Sequence, residues 1–350
     1  MEIPQEKEVV RSLRLSRVVV PIMIGLAAVA YLLYTQFDIK RFREIAWDTR
    51  AFLWIGLAFL LLILRHFSYA MRMKAITGYV FSWRKCLELI VLWEFSTTIA
   101  PTSKGGPFIM MFALPKEGIA GGKTIAAVLY TIVLDAGFFV ILLPTLSAIY
   151  GPTMLFPGAT SFSDMNLANG AFFVTYTIMA TYWCFLMFLL FLRPQIARPL
   201  MQRLSKVRLL KRWENKISSL GDDFSVAAVE LKKAPWKVHA QAIGGTLGAW
   251  TLKFLMINCL VLAVAPNVPL NGSIQLFIYA RMVAMFIILA FSPTPGGAGI
   301  AEVALPRFIS DFVPLSVGLV VALLWRAMAF YGYLLAGAIV VPNWVAKKIK

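Results

Sequence analysis

Apolar residues come in runs of about twenty, separated by polar stretches that hold most of the basic residues. The runs lie at about 18–37, 51–71, 124–150, 171–192, 238–265 and 315–341. A helix rises about 1.5 Å per residue, so each run can cross a hydrocarbon layer about 30 Å thick. Two further stretches, 86–114 and 273–312, are apolar but broken by proline and glycine. A plain spanning helix avoids both residues. Each stretch therefore reads as two helical arms around a break, either re-entrant or nearly crossing. The pattern predicts an all-α, polytopic membrane protein with six full spans and two broken hairpins.

The two breaks resemble each other. The second runs from Pro293 to Pro306 and contains Thr294, Gly296, Gly297, Gly299 and Glu302. The first runs from Pro101 to Pro115 and contains Thr102, Lys104, Gly105 and Gly106. With Lys104 taken as a one-residue insertion, eight of fourteen positions are identical. The offset stays at 191 beyond the motif and sets Asp135 opposite Arg326, each central in the span that follows. Paired broken segments in two halves are a feature of transporters built from internal repeats. The chain is thus expected to be one membrane domain, 1–350, made of repeats 1–160 and 161–350. Each repeat would hold three spanning helices and one hairpin.

Charge placement orients these elements. Between Thr124 and Leu192 there is no Lys or Arg, which puts the loop around 151–170 outside. Arg11, Arg14 and Arg17 precede the first run, and Lys347, Lys348 and Lys350 end the chain, so both termini are expected in the cytoplasm. The first hairpin then starts and ends inside and the second outside, which makes the two repeats inverted. Residues 193–237 carry eleven Lys or Arg against four acids, with Ile196, Leu200, Val207, Leu210, Trp213, Ile217, Leu220 and Phe224 at near-helical spacing. This segment reads either as an amphipathic helix on the anionic inner leaflet or as a solvated linker. Arg65 and His66, near the end of the second run, read as interfacial.

The net charge of +17 belongs to these loops and needs no nucleic acid as partner. Cys86, Cys184 and Cys259 are scattered, and His66 and His239 lie far apart, so neither a metal site nor a disulfide framework is supported. No cofactor is expected. Ionisable residues inside apolar runs matter more, because each costs about 2.5–3.5 kcal/mol at a helix centre on insertion scales. They are Glu94, Asp135, Lys253, Arg281 and Arg326, with Lys104 and Glu302 beside the breaks. Asp135 and Arg326, equivalents under the offset, are expected to pair near the midplane and border a polar path. Each break would present glycine backbone and the N-terminus of a short helix, a combination that favours an anion such as phosphate. Thr102 and Thr294 would add hydroxyl donors and Lys104 a cation.

The run Ser292-Pro293-Thr294-Pro295-Gly296-Gly297-Ala298-Gly299-Ile300-Ala301-Glu302 resembles the signature of the lysylphosphatidylglycerol synthase transmembrane-region family, also called flippase-like proteins. The likeness covers most of the chain and is looser at the first break, where Lys104, Gly105 and Gly106 stand and Pro107 follows with no acid. It implies movement of a lipid with a polar headgroup between the leaflets of the cell membrane. Some relatives carry a soluble aminoacyl-transferase domain. The chain ends at Lys350, so it is expected to transport a lipid and not to synthesise one.

Two other readings compete. An intramembrane enzyme would use Glu94, Asp135 or Glu302 as acid or base on a lipid headgroup. Against it, the sequence shows no nucleophile–base pair and no nucleotide motif. A non-transporting scaffold would dock a lipid or glycan synthase on residues 193–237. Membrane lipids are the expected partners; a second copy of the chain or a lipid synthase is the candidate protein partner.

Overall fold

The computed structural model describes residues 45–348 other than 101–104, 152–153, 156–166, 197–198, 201–202, 204–213, 291, 293 and 295. Among these, all regular structure is helical. The expected first span, 18–37, lies outside the described residues, as do Thr102, Lys104 and most of the loop at 151–170. Six described segments are long and apolar enough to cross a membrane, and the chain is a multi-pass membrane protein.

The first described helix, α1 (Thr49–Ile76), begins where the Asp48 carboxylate accepts the Ala51 N–H at 2.8 Å. One face is a lipid-type surface, with Phe52, Leu53, Phe59, Leu60 and Phe67 exposed. Its other face packs along α7 (Trp236–Val264). Small residues permit that approach. A Cβ on Gly245 would stand 2.7 Å from the Ser68 carbonyl oxygen, and one on Gly248 would stand 3.1 Å from the Ser68 hydroxyl.

The first broken stretch forms α2 (Trp83–Ile99) and α3 (Gly105–Lys116), followed by α4 (Gly121–Tyr150). The second half supplies α5 (Leu167–Met187), continued by a π-helical turn at Phe188–Leu192, then α6 (Glu214–Lys232) and α7. It ends with α8 (Gly272–Ala290), the second break, α9 (Ile300–Phe308), α10 (Leu315–Arg326), a π-helical turn at Ala327–Tyr331 and α11 (Gly332–Lys348). The main core lies among α4, α7, α8, α9 and α10. A second cluster joins α2 and α3 to α11.

Three expectations change here. Asp135 does not pair with Arg326, nor with Lys253 or Arg281. Its carboxylate accepts from Arg72 Nη1, and Trp250 Nε1 donates to the same oxygen at 2.8 Å. Arg72 reads as a loop cation in the sequence, but α1 runs on to Ile76 and turns it inward, where it is 3% exposed. Arg65 is likewise buried, not interfacial, and meets Glu94 at 2.8 Å. The third change concerns 193–237. Its α6 portion packs on protein: Phe224, Ala227 and Ala228 are buried against the start of α4 and the end of α5. A Cβ on Gly122 of α4 would collide with the Asp223 backbone, so the two helices touch closely. Lys232, Lys233 and Lys237 remain exposed.

The turn between α3 and α4 is tied to both ends of its neighbours. Glu117 accepts from Trp344 Nε1 at 2.7 Å and meets Lys348 at 3.1 Å and Lys85 at 3.2 Å. Burial alone would raise the Glu117 pKa. The hydrogen bonds from Trp344, Lys348 and Lys85 outweigh it and hold the carboxyl below its ordinary 4.5.

Two outcomes follow from these contacts. Removing one partner of a buried ion pair typically destabilises by about 3–5 kcal/mol. Arg72→Gln and Asp135→Asn should each lower the thermal midpoint of purified protein, and the double variant should lose less than the sum. Additive losses would mean the two residues are uncoupled. For Glu117 the depressed pKa means that its stabilisation is present above pH 4.5 and is lost as pH falls through the folded-state value. Proteolysis at the end of α11, or its hydrogen exchange relative to the intrinsic rate at each pH, should therefore rise in acid below pH 4.5. In Glu117→Gln that exchange should already be fast at neutral pH and lack the acid step; an unchanged profile would show that the cluster does not hold the helix end.

Candidate functional site

The second break is held by its own residues. Gly296, Gly297 and Gly299 have φ of +54°, +71° and +82°, which side chains other than glycine rarely adopt. The Gly297 N–H donates to the Thr294 carbonyl at 3.0 Å, closing a tight turn. The Thr294 hydroxyl lies 2.8 Å from the Ser292 hydroxyl. Helix α9 then starts at Ile300, and Glu302 in its first turn accepts the Gly299 N–H at 2.8 Å. From α10, Arg326 Nε donates to Glu302 Oε1 at 2.7 Å, and Arg326 Nη1 donates to the Gly296 carbonyl at 2.8 Å. Glu302 is 2% and Arg326 4% exposed. The negative group at the α9 N-terminus is thus the chain's own carboxylate, in the place where the sequence suggests a bound anion.

The first break is built differently. Its α3 begins at Gly105, whereas the positions matching 105–108 in the second break, 296–299, form the non-helical turn. Pro107 and Phe108 stand where Ala298 and Gly299 stand in the second. Proline suits the first turn of a helix, and phenylalanine does not readily take a positive φ, so the chain turns helical one turn earlier. Gly105 and Gly106 face α2. A Cβ on Gly105 would collide with the Ser96 carbonyl, and one on Gly106 would lie 2.7 Å from Thr97 Oγ1. They permit close helix packing; they do not open the backbone to a guest.

Between these elements lies a cavity of about 600 Å³. Both hairpins line it: Trp93, Glu94, Thr97, Thr98 and Pro107 from the first, and Ala290, Gly296 and Gly297 from the second. Further walls come from α1 with Arg65 and Tyr69, α4 with Asp135 and Phe139, α5 with Ile178 and Tyr182, α7 with Trp250 and Lys253, and α10 with Trp325 and Arg326. Phe330, on the π-helical turn, closes one side. A Cβ on Gly296 would collide with its ring.

Among the described residues that line this cavity, the charged side chains are paired but for one. Arg65 pairs with Glu94, Asp135 with Arg72, and Arg326 with Glu302. Tyr69 lies between the two α1 cations, with Arg72 Cζ 4.5 Å and Arg65 Cζ 4.9 Å from its ring centre. Lys253 has no carboxylate within ion-pair distance among the described residues. Its Nζ lies 3.8 Å from the centre of the Phe286 ring and 4.7 Å from that of Trp250. A desolvated cation–π contact is worth about 2 kcal/mol. That is less than the insertion cost of about 2.5–3.5 kcal/mol, so the two rings alone would not compensate a charged amine here.

Of the residues singled out in the sequence, Glu94, Asp135, Lys253, Gly296, Gly297 and Arg326 line the cavity. Glu302 stands behind Arg326, and Gly299 and Thr294 shape the turn without lining the space. Arg281 belongs elsewhere: it meets Asp311 at 2.6 Å and the Phe308 carbonyl at 3.3 Å, fixing α8 to the end of α9. Sequence reasoning missed Arg65, Tyr69 and Arg72. Their spacing of four and three residues puts all three on one helical face, which was the available signal. It missed Trp250 and Phe286 because aromatic residues in apolar runs are usually core.

No solved structure matches the chain. A similar relative is a UPF0104 membrane protein of Archaeoglobus fulgidus, 26% identical over 332 residues that cover 91% of this chain and 94% of the relative. The family model described as the lysylphosphatidylglycerol synthase TM region matches residues 18–337, nearly the whole chain and both broken hairpins. With its Pro-Gly breaks and charged cavity, the chain belongs to the lysylphosphatidylglycerol synthase transmembrane-region family.

Proposed function

We propose that the protein is a transporter that moves a lipid with a polar, phosphate-bearing headgroup between the leaflets of the cell membrane, and that it is not a lipid-modifying enzyme. The observation that carries this reading is the cavity of about 600 Å³ walled by both broken hairpins and holding Lys253, which has no carboxylate within ion-pair distance among the described residues. That volume falls within the range of small-molecule sites, about 300–1,000 Å³. Polar groups inside a membrane protein commonly mark substrate paths. The two hairpins would belong to inverted repeats, 1–160 and 161–350, whose relative rocking exposes the cavity to one leaflet and then the other. Both termini would lie in the cytoplasm. There the exposed Lys232, Lys233 and Lys237 would face the anionic leaflet, with the apolar face of α6 already covered by protein.

Purified protein in liposomes should accelerate movement of headgroup-labelled phospholipids across the bilayer. Lys253→Gln, which leaves all three ion pairs in place, should slow that movement at least tenfold while the protein still elutes as a single folded species. Folded wild-type protein that moves no phospholipid or polyprenyl-phosphate lipid would sink the transport reading. A new covalent lipid product in the same vesicles would favour an enzyme instead.

Orientation is tested separately by single-cysteine labelling. Cys184 is exposed, while Cys86 and Cys259 are buried, so Cys184→Ala gives a low background. Cysteines placed at Lys233 should react from the cytoplasmic side and at Asn267 from the outside. Labelling of Lys233 from outside would overturn the inverted arrangement.

A further inference from the structure

We propose that α5 is a lateral gate of the cavity, held shut against α4 by two hydrogen bonds and pivoting on the π-helical turn at its C-terminal end. The proposal rests on the cavity as a transport path and goes beyond it in naming the element that moves. Among the described residues, α5 is a single layer of wall. Ile178, Met179 and Tyr182 line the cavity, yet Ile178 is also 49% exposed, and Val174 and Phe185 are exposed beside it. Within its span 17% of residues are buried, against 56% in α4 and α8 and 61% in α7. Helix α1 is no more buried, but two ion pairs hold it. Between residues 167 and 187 there is no charged side chain to do the same.

What pins α5 to α4 is local and polar. Pro144 has no N–H, so the Val140 carbonyl loses its partner within α4. The Tyr176 hydroxyl of α5 donates to that carbonyl at 2.9 Å. Trp183 Nε1, two turns further along α5, donates to the Val133 carbonyl at 3.0 Å. Gly137 makes room for the indole: a Cβ there would stand 2.9 Å from Trp183 Nε1. A hydrogen bond between membrane helices shifts an equilibrium by about threefold, because the parted groups find other partners. The two together give roughly tenfold, small enough for thermal opening. The buried contacts along the span, Phe172 and Met179, are apolar, and lipid tails can replace them at little cost.

The C-terminal end is clamped instead. After Met187 the helix widens into the π-helical turn Phe188–Leu192, a form frequent at functional sites. Leu189 and Leu190 are buried with Phe224, Ala227 and Ala228 of α6. The Phe191 ring lies 5.4 Å from that of Tyr130 on α4 and 6.2 Å from that of His239 on α7. Tyr130 and His239 are themselves joined by a hydrogen bond of 2.8 Å. Just beyond, the Ser225 hydroxyl of α6 donates to the Pro194 carbonyl at 3.2 Å. A helix gripped at one end and lightly pinned along its length swings about the gripped end.

Spin-label distances in full-length protein in lipid nanodiscs read this movement without any transported substrate. In the Cys184→Ala background, labels at Val174 and Leu270 follow the pinned part of α5 against the α7–α8 turn. Labels at Leu192 and Lys237 follow the clamped end, and all four sites are exposed. The Val174–Leu270 distances should fall into a major component and a minor, wider one, and the Leu192–Lys237 distances into one. Tyr176→Phe, which removes a single hydroxyl, should raise the wider component about threefold. Gly137→Ala, which wedges the indole outward without removing a donor, should raise it at least as much. A single Val174–Leu270 distance, the same with and without Tyr176→Phe, overturns the proposal, and that comparison does not need Gly137→Ala to fold. Both pairs broadening together would mean a loose helix with no pivot and also overturns it. Two components at Val174–Leu270 with no lipid movement in liposomes would defeat the transport reading alone, whereas lipid movement past an immobile α5 would defeat only the gate.

Discussion

A guanidinium placed in hydrocarbon demands an opposite charge, and three helix-to-helix pairs meet that demand here. Arg65 of α1 reaches Glu94 of α2, Arg72 of α1 reaches Asp135 of α4, and Arg326 of α10 reaches Glu302 of α9. Each pair joins elements that apolar packing alone would leave free to slide, since lipid tails compete equally well for apolar side chains. The pairs also fix where the cavity can be, because Arg65, Glu94, Asp135 and Arg326 form its polar wall. Burial of such pairs is weak evidence for stability in itself, because desolvation consumes much of the attraction. Their effect is to select one arrangement of helices.

The spans that the structure describes, and the interruption at 293–299, were legible in the sequence because their signal is a simple period and a simple break. Runs predicted at 124–150 and 238–265 became helices Gly121–Tyr150 and Trp236–Val264. The partners of the charges were not legible. Offset 191 matched Asp135 to Arg326, yet Arg72, the true partner of Asp135, sits where a positive residue after an apolar run ordinarily means a loop. Nothing local separates a cation that ends a helix from one that turns inward; the difference lies in whether a second helix offers an acid at the right height. Arg65 and Glu94 illustrate the same gap, being 29 residues apart and on different helices.

The glycines carry a related lesson. Similar Pro-Gly strings produced two different structures, a helical start packed on α2 at Gly105 and Gly106 and a positive-φ turn at Gly296, Gly297 and Gly299. What separates them is Pro107 and Phe108 against Ala298 and Gly299. In the second break the turn is stiffened by Glu302 and Arg326, so its backbone donors and acceptors are partly consumed by the protein. The polar element left for a guest is a side chain, Lys253, on a helix with no proline at all.

The two cations of α1 also have a consequence for how the chain is made. Arg65 and Arg72 emerge from the ribosome before Glu94 and Asp135, so α1 must meet the bilayer while both charges are unanswered. Arg65, near the middle of α1, costs up to about 2.5–3.5 kcal/mol and offsets part of the insertion free energy of its leucines and phenylalanines, while Arg72, about one turn from the helix end, costs less. The packing partner of the same helix face, α7, begins at Trp236, later still. The contacts of α1 with α4 and α7 can form only once those later helices have been made, so its seat in the bundle is completed by a segment from the other half of the chain. The earliest described helix is therefore among the last to gain all of its partners.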